Sequence, residues 1–150
     1  MKRRRPSAIS EGIAAVRAIY ADVDERPVER ACLRRTECCH FRVTGRTPQL
    51  TRGEALTAAR ALRATGRTRL PDRDDGACPL LDGAGRCTIY ADRPFGCRTH
   101  FCAAAGGPYE RRTVSDLIHR LEELDVRLGG EGPRPLVPAL RAALGELGRA

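Results

Sequence analysis

The sequence predicts a small, mainly α domain in which helices surround an irregular, cysteine-bearing metal centre with one short β-hairpin. Three observations lead there. Apolar residues recur at helical spacing in four separate stretches, near residues 8–20, 52–65, 113–128 and 137–147. Between the second and third lies a long Gly- and Pro-punctuated segment with no helical period. Seven cysteines fall into two groups, Cys32, Cys38 and Cys39, then Cys78, Cys87, Cys97 and Cys102.

At 150 residues the chain fits one domain. Residues 1–7 read as a basic flexible tail and 8–150 as the domain, with a cysteine-cluster region at 32–102 and a C-terminal helical region at 113–148. The chain has no Trp and only three Phe and three Tyr, so Leu, Ala, Val and Ile must form the core, and a metal would be a useful addition to it.

Taken in order, Pro6 and Ser7 can start a helix whose apolar face is Ile9, Ile13, Val16, Ile19 and Tyr20. Asp22 to Pro27 interrupts it, and a second helix beginning near Pro27 would carry Val28 and Cys32 on one face. Phe41 and Val43 alternate with polar neighbours, a weak strand signal. Thr51-Arg-Gly-Glu54 is a capping-box pattern, followed by Leu56, Ala59 and Leu62 and a stop at Gly66. Leu80, Leu81 and then Cys87, Ile89 flank Asp82-Gly-Ala-Gly85, the pattern of a hairpin. Thr113-x-x-Asp116 resembles a cap for the stripe Leu117, Ile118, Leu121, Leu124 and Leu128, which Gly129-Gly130 ends. A last helix carries Leu140, Leu144 and Leu147 on one face.

The formal net charge is +8, almost all of it from Arg. The arginines are spread along the chain and no aromatic residues are interleaved for base stacking, which argues against a nucleic-acid partner. A protein partner remains open. Glu11 and Arg17 interrupt any secretory leader, and no stretch approaches the ~20 apolar residues of a membrane span. A cytoplasmic, reducing compartment is therefore expected, where clustered cysteines point to metal or redox chemistry rather than structural disulfides.

Thiolate holds zinc and iron–sulfur clusters alike. Cys78 and Cys87 flank the predicted hairpin, and Cys97 follows the Arg93-Pro94 turn, so these three can face one point. There is no CxxC, which sets aside a zinc-ribbon knuckle and a thioredoxin-like redox pair. Adjacent Cys38 and Cys39 would bind one zinc ion only with strain. His40 or His100 could complete a Cys₃His site, although a surface or supporting role is the simpler reading; His119 reads as structural. Arg34, Arg35, Arg86, Arg93 and Arg98 could offset thiolate charge, with Arg93 and Arg98 best placed.

The segments Cys32-x5-Cys38-Cys39, Cys78-Pro-Leu-Leu, Gly85-Arg-Cys87-Thr-Ile-Tyr90 and Arg93-Pro-Phe-Gly-Cys97-Arg98 together resemble the YkgJ-type cysteine-cluster family, a zinc- or iron-chelating domain of the CxxCxxCC type. The likeness covers about residues 32–102. Where that family has its second cysteine this chain has Arg35, and Cys102 is an additional cysteine just past the last segment. The resemblance implies metal chelation and no particular reaction. The expected metal ligands are Cys32, Cys38, Cys39, Cys78, Cys87, Cys97 and Cys102, holding zinc or iron in a structural, metal-handling or accessory role. The alternative is an iron–sulfur electron-transfer or redox-sensing protein. No nucleophile–base–orienter set or phosphate-cradling loop is recognisable, so catalysis ranks last.

Overall fold

The computed structural model describes residues 7–26, 37–100 and 106–149. Most of the basic tail, the helix expected from Pro27, Cys32 and Cys102 lie outside the described residues.

The fold is mainly helical, with one short antiparallel sheet, and is arranged about its third helix. The first, α1 (Ala8–Asp24), is capped by Ser7, whose hydroxyl accepts from the Ser10 amide at 3.2 Å. Its buried stripe of Ile13, Val16, Ile19 and Tyr20 continues to Val23, which carries the helix past the expected break at Asp22. A 3₁₀ turn at Glu37–Cys39 leads into the single-turn helix α2 (Phe41–Thr44), where alternation at Phe41 and Val43 had suggested a strand. The Thr44 amide bonds to the His40 carbonyl and the Gly45 amide to that of Phe41, and Gly45 ends the turn in the left-handed region at φ 67°.

The short strand β1 (Gln49–Leu50) precedes α3 (Arg52–Ala64). The expected capping box is present: the Thr51 hydroxyl accepts from the Glu54 amide, and the Glu54 carboxylate accepts from the Thr51 amide at 3.1 Å. Small residues let neighbouring helices close on α3 from several sides. A methyl on Gly53 would lie 2.9 Å from Val16 and 3.2 Å from Leu124.

After the cysteine-bearing segment and the short helix α4 (Phe95–Thr99) come α5 (Arg111–Arg127), strand β2 (Arg134–Pro135) and α6 (Leu136–Arg149). Glu110, not Thr113, stands at the start of α5; Thr113 lies within its first turn. Strands β1 and β2 pair antiparallel, Gln49 with Pro135 and Leu50 with Arg134, and the Leu136 amide adds a bond to the Pro48 carbonyl. This pairing sets α6 along α3, where Leu140, Leu144 and Leu147 bury against Leu56 and Leu62. A second apolar cluster joins α1 and α5 through Val16, Ile19, Leu117, Leu121 and Leu124, and reaches Phe95. Each buried leucine or isoleucine contributes about 1.5–3 kcal/mol. Asp125 is buried at the junction of α5 and α3, accepting from the Arg52 amide at 2.7 Å and the Gly132 amide at 2.9 Å. No helix among the described residues is long and apolar enough to cross a membrane.

Candidate metal centre

The two cysteine groups, far apart in sequence, are stitched together by backbone hydrogen bonds. The Cys78 amide donates to the Cys39 carbonyl at 2.6 Å, and the Arg42 amide to that of Gly76 at 3.3 Å. His40 and Ala77 form an antiparallel bridge between these bonds. Gly76 permits the approach: its φ is 71°, and a Cβ there would lie 2.6 Å from Arg42 Cβ. Cys38 and Cys39 thus come beside the start of the Cys78-Pro-Leu-Leu segment.

The predicted hairpin takes the form of one antiparallel bridge, Leu81 with Cys87, closed by a tight turn. Asp82 builds that turn, its Oδ1 accepting from the amides of Ala84 and Arg86, both at 2.9 Å. The Asp82 amide donates to the Arg86 carbonyl at 2.8 Å, and the Thr88 amide to that of Leu80 at 2.9 Å. These bonds return Cys87 toward Cys78. A 3₁₀ turn at Tyr90–Asp92 and the Arg93-Pro94 corner then start α4, which carries Cys97 and ends at His100.

Cys38, Cys39, Cys78, Cys87, Cys97 and His100 all line one cavity of about 1010 Å³. The thiols are close enough to influence one another's ionisation. That of Cys39 is pushed up, first by its hydrogen bond with Cys38, then by burial and by the charges of Cys38, Cys78 and Cys97. Burial pushes Cys78 up to about 11, and Cys87 adds to this. Burial, followed by Cys78, Cys87 and Cys38, raises Cys97. Burial also raises Cys87. A common device opposes these shifts: the Leu80 amide donates to the Cys78 sulfur and the Ile89 amide to that of Cys87, each from two residues on. Raised pKa values keep these gathered thiols protonated and neutral, and a binding cation takes the place of their protons.

The arginines divide. Arg93 eases ionisation of Cys87, and Arg73, which the sequence reading did not single out, does so for Cys78. Arg98 is buried and otherwise engaged: it bonds Asp24 at 2.7 Å, the Arg93 carbonyl at 2.9 Å and the Ala91 carbonyl, and lies 4.2 Å above the Tyr20 ring. Its role is to hold the loop.

The histidines also separate. Among the described residues His100 Nδ1 is buried with no hydrogen-bond partner, and burial, then Arg46, lower the pKa of the ring. His40 does not line the cavity, and His119 is exposed on α5. Glu54, absent from the sequence-level candidates, reaches the cavity wall from α3. Its only sequence signal was the capping box, which gives no hint of a second partner.

Soft thiols, amide-to-sulfur hydrogen bonds and an orphaned imidazole nitrogen fit a zinc or iron ion in donor chemistry. Among the described residues, no group of three or more His, Cys, Asp or Glu side chains is already arranged to hold an ion. Cys32 and Cys102 lie outside those residues, so the full expected ligand set is not placed.

Comparison with known proteins gives one match. The sequence model of the CxxCxxCC family, described as "Putative zinc- or iron-chelating domain", matches residues 31–118. No curated protein and no solved structure matches the chain.

Proposed function

The chain belongs to the CxxCxxCC family, and from that premise we propose that it is a zinc- or iron-binding protein of the reducing cytoplasm, its ion held by thiolates from both cysteine groups. The observation that carries the proposal is the convergence of Cys38 and Cys39 with Cys78, Cys87 and Cys97 on one cavity, tied at the Cys39–Cys78 backbone bond. Cys78 and Cys87, each with an amide donor to its sulfur, are the anchoring ligands. Cys39 and Cys97 complete a thiolate set, with His100 Nδ1 as the neutral donor in reserve. The expected ligand set also includes Cys32 and Cys102, which lie outside the described residues.

When bound, the ion supplies the positive charge that offsets repulsion among the thiolates. The protein's part is to gather the sulfurs, limit their exposure and place Arg73 and Arg93 where they temper the remaining negative charge. The role supported is structural and metal-handling. Residues 66–100 hold few regular elements, and an ion would fasten them to the helical half. A protein partner that receives or senses the ion is compatible with an accessory role.

The test is anaerobic purification of the full chain followed by metal and acid-labile sulfide analysis. Bound zinc or iron, lost in the Cys78→Ser, Cys87→Ser double variant, is the expected result. Protein that retains neither metal after reconstitution would defeat the proposal. Acid-labile sulfide with visible absorption would identify an iron–sulfur cluster instead of a single ion.

A further inference from the structure

We infer that Glu54 is a positioning residue for the metal centre: it holds Cys97 toward the other thiols by clamping the backbone of Phe95. This deepens the metal-binding reading and rests on it. A capping-box glutamate needs only to serve its own helix, and Glu54 does so by accepting from the Thr51 amide at 3.1 Å and the Thr51 hydroxyl at 3.3 Å through Oε2. Its other oxygen, Oε1, turns away from α3. It accepts from the Phe95 amide at 2.7 Å, across 41 positions of sequence, and from the Tyr20 hydroxyl at 3.1 Å.

One carboxylate therefore joins α1, α3 and α4 at a point two residues before Cys97. Glu54 is only 2% exposed, Tyr20 3% and Phe95 7%, so water cannot readily replace these bonds. Charge-assisted bonds to a buried carboxylate are the strong and directional kind. On the other side of Cys97, Arg98 bonds Asp24 and the carbonyls of Ala91 and Arg93, and stacks on the same Tyr20 ring. Phe95 is thus fixed to α3 and Arg98 to α1, and the turn between them can present Cys97 in one direction. Cys97 belongs to a five-residue helix with no side-chain cap, which would not keep its shape alone.

The test uses residue-resolved alkylation of the metal-free, reduced full chain with iodoacetamide, read by mass spectrometry, alongside chelator competition for zinc. In Glu54→Ala, alkylation of Cys97 should rise on the order of tenfold while Cys78 and Cys87 hold their rates. Glu54→Gln keeps an oxygen for the Phe95 amide but sets an NH2 donor against the Thr51 amide, so its Cys97 alkylation should lie between wild type and Glu54→Ala. Glu54→Asp withdraws the carboxylate by one methylene, keeps its charge, and should behave like the alanine variant; its result decides if the alanine variant does not fold. Zinc affinity should fall by about 10- to 100-fold in Glu54→Asp and by less in Glu54→Gln.

Unchanged Cys97 alkylation in folded Glu54→Asp would overturn the inference, as would a parallel rise at all the cysteines, which marks general loosening. Wild-type protein that binds no zinc or iron defeats the metal reading alone, and the alkylation result still decides for or against Glu54.

Discussion

Replacing Asp125 by alanine removes the acceptor that two backbone amides share. The Arg52 amide, in the first turn of α3, lies 2.7 Å from Oδ1, and the Gly132 amide lies 2.9 Å from Oδ2. The side chain is buried, and Gly130 wraps it so closely that a Cβ there would come within 2.1 Å of Oδ1. Each orphaned donor costs about 1–3 kcal/mol if water does not reach it. Loss of a negative charge at a helix N-terminus adds about 0.3–1 kcal/mol. Partial access of water to the emptied site brings the expected total to about 2–4 kcal/mol. In a chain of this length that is a fall of roughly 5–15 °C in Tm. Urea unfolding should show a lower midpoint at unchanged m-value, with Asp125→Asn intermediate because one oxygen remains. Asp125 does not line the thiol cavity, so metal content of the folded variant should equal that of the wild type. A loss below about 0.5 kcal/mol, the range of ordinary surface substitutions, would refute the reasoning.

Gly53→Ala should cost about 1–3 kcal/mol, because its methyl must displace Val16 and Leu124 where three helices meet; a thermal melt at wild-type temperature would contradict this close approach. Cys78→Ser or Cys87→Ser alone should weaken zinc binding by at least about 100-fold in chelator competition, more than removal of a supporting residue does. The thiols of Cys39, Cys78, Cys87 and Cys97 all ionise above their ordinary value, so at neutral pH a binding ion must displace their protons. Apparent affinity should accordingly rise from pH 6 to pH 8, with proton release measurable by calorimetry in buffers of different ionisation enthalpy. A flat profile would mean that the thiols are not the ligands.

The helices were the most legible part of the chain because their signals are local. The Thr51–Glu54 box, the leucine stripe of α5 and the face of α6 each declare themselves within one or two turns, and each is found within a few residues of its expected bounds. The errors also have local causes. Alternation over Phe41–Val43 is too short to separate a strand from one turn of helix, and Gly45 decided for the helix by closing it. Thr113 and Asp116 had the chemistry of a cap, but the cap position is Glu110, three residues earlier. Convergence of the cysteine groups was an expectation from residue chemistry. What joins them, a backbone bond from Cys78 to Cys39 and a glycine at 76 that admits Arg42, involves atoms common to every sequence and leaves no pattern to read. Glu54 and Arg73 were missed for a related reason, since their partners at Phe95 and Cys78 are set by folding.

The match to the family ends at residue 118, in the middle of α5. A cut there would strip Leu121, Leu124 and Asp125 from that helix, remove the strand that pairs with β1, and uncover the side of α3 that α6 shields. The unit of kinship and the unit of folding therefore have different borders in this protein. The shared segment holds the matched cysteines, and the remainder of α5 with α6 holds much of the apolar mass that keeps α3 buried. Transplanting residues 31–118 into another protein should move the thiols without their scaffold, unless the host offers helices to take the place of α1, the second half of α5 and α6.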